Sequence, residues 1–174
     1  GTGTLTFTPG VVTQVVTVKI NNDGSYEGAE TFNVNLSAEA NATIAHGQGK
    51  GNILDNGSVE FAQAVDGTYA GALTGSGTLA KTGVGTLALT GVSAITGATT
   101  ISGGKVSLQG QLGTSTATVN TGATLAGIGT LAGNLVVNTG GTLAPGNSPG
   151  TLTVTGNVTL HAGSNFVTEI DGRI

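Results

Sequence analysis

The chain contains no Cys, no Met and no Trp, and only 3% of its residues are aromatic. Without Cys there is neither a disulfide framework nor a thiolate metal site. Without Met the chain does not open on a start codon, and it reads as an internal fragment of a longer protein. Charge is also scarce: 8% of residues are charged, against about 25% in ordinary domains, so solubility must rest on Thr, Ser and Asn. Five basic residues spread along a chain of net charge −4 argue against nucleic acid as a partner. No apolar run approaches the roughly 18 residues that a membrane-spanning helix needs. No signal peptide is visible, as an internal piece requires.

What is abundant is Gly, at 32 residues, together with Thr, Ala, Val and Leu. β-branched residues separated by Gly and Asn favour strands and tight turns over helices, so the sequence reads as all-β. The carboxylates divide it. Seven of the nine lie between Asp23 and Asp66, and none lies between Gly67 and Thr168. The division predicts a first unit over 1–57, a linker or first coil over 58–76 and a repeat region over 77–174.

The first unit alternates with a period of two. Leu5 and Phe7 share a face opposite Thr4 and Thr6, and Pro9-Gly10 makes a turn. Val16, Val18 and Ile20 form a second strand, and Phe32, Val34 and Leu36 a third. Gly49 to Leu54 forms a fourth. Such alternation describes strands with one buried face. Four of them make half of a sandwich, whose apolar face needs a partner sheet from upstream or from the following segment.

The second unit repeats. Thr118-Val119-Asn120-Thr121-Gly122-Ala123-Thr124-Leu125 has looser copies around Ile101 to Leu108, Val137 to Leu143 and Val154 to Leu160. Ile101, Val119, Val137 and Val154 stand 18, 18 and 17 residues apart, and Leu125, Leu143 and Leu160 stand 18 and 17 apart. A steady short period of strands and Gly/Asn corners indicates a solenoid. At about 18 residues, each period holds one triangular coil of three short strands, and the repeat region holds roughly four to five coils. One coil buries about three aliphatic side chains, worth roughly 1.5–3 kcal/mol each, while ordering its backbone costs about 1–2 kcal/mol per residue. A lone coil therefore cannot stand, and stacking makes it stable.

Two stretches resemble known families. "TLTFTPG", "VVTVKINND", "EGAETFNVNLS" and "GNILDNG" resemble the last strands of a Calx-β domain, a calcium-binding immunoglobulin-like sandwich of exchangers and large adhesins. "GTLAKTGVGTLALTGVSAITGATTISGGKVSLQ" is similar to a passenger-associated β-strand repeat of autotransporters. "LAPGNSPGTLTV" (Leu143 to Val154) is the most specific piece of that likeness. Together they imply a partial Calx-β sandwich followed by a right-handed parallel β-helix. They also imply an extracellular or bacterial cell-surface location and an outer-membrane β-barrel anchor elsewhere in the protein. The expected role is that of a structural or adhesive segment facing a surface glycan or protein. The alternative is a calcium-binding Calx-β interaction module with the β-helix as its spacer.

Calcium is the only cofactor this implies. By resemblance, Asp23, Glu27, Glu30 and Asp55 match acidic ligand positions, and Ser25 a carbonyl position. Asn22 and Asn56 depart from the pattern, which often has Asp there. Calcium takes six to eight oxygens, so these carboxylates supply part of a shell.

Catalysis is not expected. Polysaccharide cleavage by a β-helix needs paired carboxylates, or calcium with a basic residue. The titratable side chains between Gly67 and Thr168 are only Tyr69, Lys81, Lys105 and His161. His161 reads as an exposed corner, and it and His46 fall in different segments with no nucleophile motif nearby. The glycines form neither dinucleotide nor phosphate loops and read as corner residues needing positive φ. The Thr rows are not confined to one column, which argues against an ice-binding face.

Overall fold

The computed structural model describes residues 2–19, 30–53, 57–146 and 150–168. Among these residues every regular element is a strand. Strand β1 (Glu30–Asn35) pairs antiparallel with β2 (Gln48–Ile53) in a separate two-stranded sheet. Phe32 and Val34 are half-buried on one face of β1, while Thr31, Asn33 and Asn35 are exposed, as the alternation predicts. The expected strands at Leu5–Phe7 and Val16–Val18 do not form; Ile20 and Leu54 lie outside the described residues. Residues 2–19 keep only the Pro9-Gly10 turn, closed by Val11 N donating to the Thr8 carbonyl at 3.0 Å. Phe7 stays 55% exposed. β-Pattern alone does not make a strand: the backbone needs a ladder partner and the apolar face a cover, and 2–19 have neither among the described residues.

From residue 59 the chain winds into a parallel β-solenoid of about six turns. The first turn comprises β3 (Val59–Ala62), β4 (Gly67–Tyr69) and β5 (Thr74–Gly75). The second comprises β6 (Leu79–Thr82), β7 (Thr86–Leu89) and β8 (Val92–Ile95). The third begins with β9 (Thr99–Ile101) and β10 (Lys105–Leu108). β11 (Gln111–Val119) then closes the third turn and opens the fourth without a break. β12 (Thr124–Gly127) follows, and β13 (Thr130–Val137) again bridges two turns. The fifth turn adds β14 (Thr142–Pro145) and β15 (Thr153–Val154). β16 (Val158–Leu160) and β17 (Asn165–Phe166) begin a sixth. The count exceeds the four to five coils expected because residues 59–75 already supply a turn, which pairs with the next from Val59↔Leu79 onward.

The register shows why the aliphatic rows recur. Leu87, Val106, Leu125 and Leu143 stack through successive turns, as do Ile101, Val119 and Val137. The last step departs from the sequence spacing. Val137 pairs with Leu160 and Leu143 with Phe166, whereas Val154 pairs with Leu131. The ladder step here is 23 residues, so counting 17 residues picked the wrong partners. The core runs from Leu73 to Leu143 and is aliphatic. Each end is less covered: Phe61 and Tyr69 meet edge-to-face at 5.3 Å under the first turn, and Leu160 and Phe166 remain largely exposed on the last.

Glycine marks the corners for two separate reasons. At the corner after the first side of each turn, Gly122 and Gly140 have φ of +77° and +74°, as expected. At the next corner Gly91, Gly110 and Gly129 lie one above another with ordinary φ. There a Cβ would collide with the carbonyl oxygen of the glycine one turn earlier. Close approach of successive turns, not left-handed backbone, requires those glycines.

Candidate functional site

Of the four acidic residues singled out from sequence, only Glu30 falls among the described residues; Asp23, Glu27 and Asp55 lie outside them, as do Asn22, Ser25 and Asn56. Glu30 is exposed at the start of β1, opposite Ile53 at the end of β2. That register puts the entrance to residue 30 and the exit from residue 53 at one end of the strand pair. Glu30 itself offers two of the six to eight oxygens calcium takes.

Inside the solenoid, the chemistry is that of backbone satisfaction. Among the described residues no buried side-chain nitrogen or oxygen lacks a hydrogen-bond partner. Where β11 turns the corner, its register shifts between Gly113 and Thr116. The Thr114 hydroxyl fills the gap, donating to the Gly97 carbonyl at 2.7 Å and meeting the Thr99 hydroxyl at 3.2 Å. Ser93 points inward and accepts from Leu73 N at 3.0 Å. Outside, an amide ladder climbs one corner: Asn138 Nδ2 donates to Asn120 Oδ1 at 2.8 Å, and Asn120 Nδ2 to Ser102 Oγ at 3.1 Å.

Sequence reasoning placed Lys81 among the titratable groups without noticing its position. It points into the core on β6 and is 0% exposed. Its ammonium donates to the carbonyls of Thr82, Gly83 and Gly103 at 2.6, 2.9 and 3.2 Å. Three donors meet three acceptors, which is what makes the buried cation tolerable. Loss of water around it pushes its pKa below the ordinary lysine value. The missed signal was an offset of 20: Lys81 stands that far before Ile101, its ladder partner, whereas the 18-residue count looked elsewhere.

His161 is exposed at the corner following β16, where its main-chain N donates to the Val137 carbonyl. Lys105 stands exposed at the start of β10. Asp66 accepts from Thr86 N at 2.7 Å, and the hydrogen bonds from Thr86, helped by Lys105, lower its pKa. An open depression of about 450 Å³ lies beside β8 and β11, lined by small side chains, hydroxyls and the Gln111 amide. Its lining holds no carboxylate, imidazole or amine.

The Calx-beta domain family model matches residues 1–57. No curated protein and no solved structure matches the chain. Calx-beta domains are generally calcium-associated. The matched residues contain β1, β2 and the whole acidic set, and the solenoid begins directly after them. A Calx-beta match joined to a β-solenoid is the make-up of a structural or interaction module.

Proposed function

We propose that the chain is a non-catalytic spacer and adhesive segment of a large autotransporter-like protein displayed at a bacterial cell surface. The observation that carries this reading is the continuous aliphatic column from Leu73 to Leu143, wrapped in turns whose outward residues are mostly Thr, Ser, Asn and Ala. Stacked parallel turns resist bending and extension through every ladder hydrogen bond at once. They hold a distal partner-binding part away from the membrane without any titratable machinery of their own. A surface glycan or protein is the partner class, and an outer-membrane barrel the anchor, by likeness to autotransporter passengers. Protease shaving of intact cells that make the full protein tests the display: this segment should be released into the medium. Protection of the segment until the cells are lysed would refute it. Incubating the purified chain with plant and bacterial polysaccharides should release no new reducing ends; release would restore an enzymatic reading.

A second reading is favoured by the family match over 1–57: a calcium-binding interaction module with the solenoid as its spacer. Asp23, Glu27, Glu30 and Asp55 are its ligands, by their match to acidic positions of the Calx-beta pattern. A ligand that binds only the folded state stabilises by about 2.7 kcal/mol at 100 times its dissociation constant. Calcium titration should therefore raise the first melting transition, and Asp23→Asn with Asp55→Asn should abolish the rise. An unchanged melt at millimolar calcium would discard the module reading and leave the spacer.

A further inference from the structure

Lys81 does something the aliphatic neighbours in its column cannot. Its backbone pairs with Phe61 below and Ile101 above, and the column continues through Val119, Val137 and Leu160. Two of its acceptors, the Thr82 and Gly83 carbonyls, belong to its own turn; the third, Gly103, belongs to the next. The bond to Gly103 therefore exists in one register only.

Stacked corner glycines also constrain register, as where Gly97 lies against the Gly77 carbonyl, but the pitch itself varies along the column. Ladder partners are 20 residues apart between β6 and β9, 19 between β10 and β12, and 19 then 18 along β11 and β13. The chain thus accommodates several pitches with the same small outward residues. A one-residue slip is blocked because it turns every side chain to the other face, but a two-residue slip keeps the faces. In the slip that sets Lys81 beside Gly103, Leu79 falls on Ile101, so the apolar pattern survives. The ammonium does not survive it. The slip carries the Gly103 carbonyl roughly 6.6 Å along the strand, out of hydrogen-bond reach, and leaves a desolvated charge one acceptor short.

We propose that Lys81 is the register lock of the early solenoid, selecting the 20-residue step from β6 to β9 against the slipped alternative. A buried cation is an inefficient way to gain stability and an effective way to penalise misalignment. The selection acts where the pitch is about to change, because the following turns shorten to 19 and 18 residues.

Disulfide trapping reads register directly, and the absence of native Cys makes each engineered pair unambiguous. Ala80 and Thr100 are ladder partners on the outward face, about 4.8 Å apart and within disulfide range, while Ala80 and Ser102 are about 8 Å apart and outside it. In the otherwise unchanged full chain, the Ala80→Cys/Thr100→Cys pair should oxidise and Ala80→Cys/Ser102→Cys should not. Adding Lys81→Met should make the second pair oxidise as well, with the strand content of the circular dichroism spectrum retained. Lys81→Leu is read the same way. If both variants stay folded and trap only the first pair, the apolar pattern alone sets register and the proposal falls. If neither variant folds, Lys81 is a stability element and not a selector, and the proposal falls equally.

Discussion

A methyl group added at Gly110 or Gly129 has no space to occupy, because each Cβ would lie well inside contact distance of a main-chain carbonyl oxygen of the previous turn. Neither backbone is left-handed, so the penalty is purely one of approach. Overpacking of this kind costs about 1–3 kcal/mol, and a carbonyl in a ladder cannot rotate away. Gly129→Ala should lose about 2 kcal/mol or more in urea unfolding, whereas Gly49→Ala, whose Cβ meets nothing within 4 Å, should be neutral. Equal losses in the two variants would show that turn spacing is not what fixes these glycines. Two ionisable groups give opposite pH signs. Asp66 has its pKa lowered by the Thr86 hydrogen bonds, so its contribution is present above the ordinary value of 3.8 and is lost as pH falls through the folded value. Asp66→Asn should flatten the acid side of the melting profile. Lys81 has its pKa lowered by burial, so between the folded value and the ordinary 10.5 the unfolded chain holds more protons. Stability in that window therefore rises with pH. Lys81→Met should remove the rise, and a parallel profile for the two proteins would contradict the burial.

At the scale of the element, the solenoid was legible in the sequence because its core positions recur: Ile101, Val119 and Val137 do stack, and so do Leu125 and Leu143. The turn containing Val154 was misaligned because spacing alone does not reveal inserted residues, and only the ladder shows Leu143 on Phe166. The segment 58–76 read as either linker or first coil, and spacing did not decide between them, because the early pitch of 20 differs from the later 18 and Phe61, Tyr69 and Lys81 break the aliphatic pattern. The acidic set was legible as composition and as likeness, but three of its four members lie outside the described residues. The corners that follow β9, β11 and β13 also carry an amide ladder, a feature that no single repeat displays. Asn120 makes both of its bonds, to Ser102 and from Asn138. With net hydrogen-bond values of about 0.5–1.5 kcal/mol, Asn120→Ala should cost about twice what Ser102→Ala does, by denaturant unfolding. Equal costs in the two variants would mean that the ladder contributes nothing beyond its lowest step.

For the whole molecule, stability has to be distributed along an axis, since each turn touches only the turns before and after it. Interior turns have two neighbours and contain every residue of the buried aliphatic cluster but Leu73, which lies in the first turn. The last turn has one neighbour among the described residues. Its inward residues show the difference: Leu135 and Val137 are fully buried, while Val158 and Leu160, their ladder partners, are 48% and 45% exposed. At about 25 cal/mol per Å² of apolar surface, half-covered residues return about half the stabilisation, against an undiminished backbone entropy. Opening should therefore begin at β15 to β17 and move inward, with β10 to β13 opening last. Hydrogen exchange at neutral pH should show protection highest for amides of residues 106–137 and falling stepwise through 158–166. Among the described residues the exposed strands β1 and β2 pair only with each other, and they should exchange independently of that gradient. Uniform protection from residue 59 to residue 166 would mean that the turns unfold all together, and that the ends gain from contacts other than the stacking seen here.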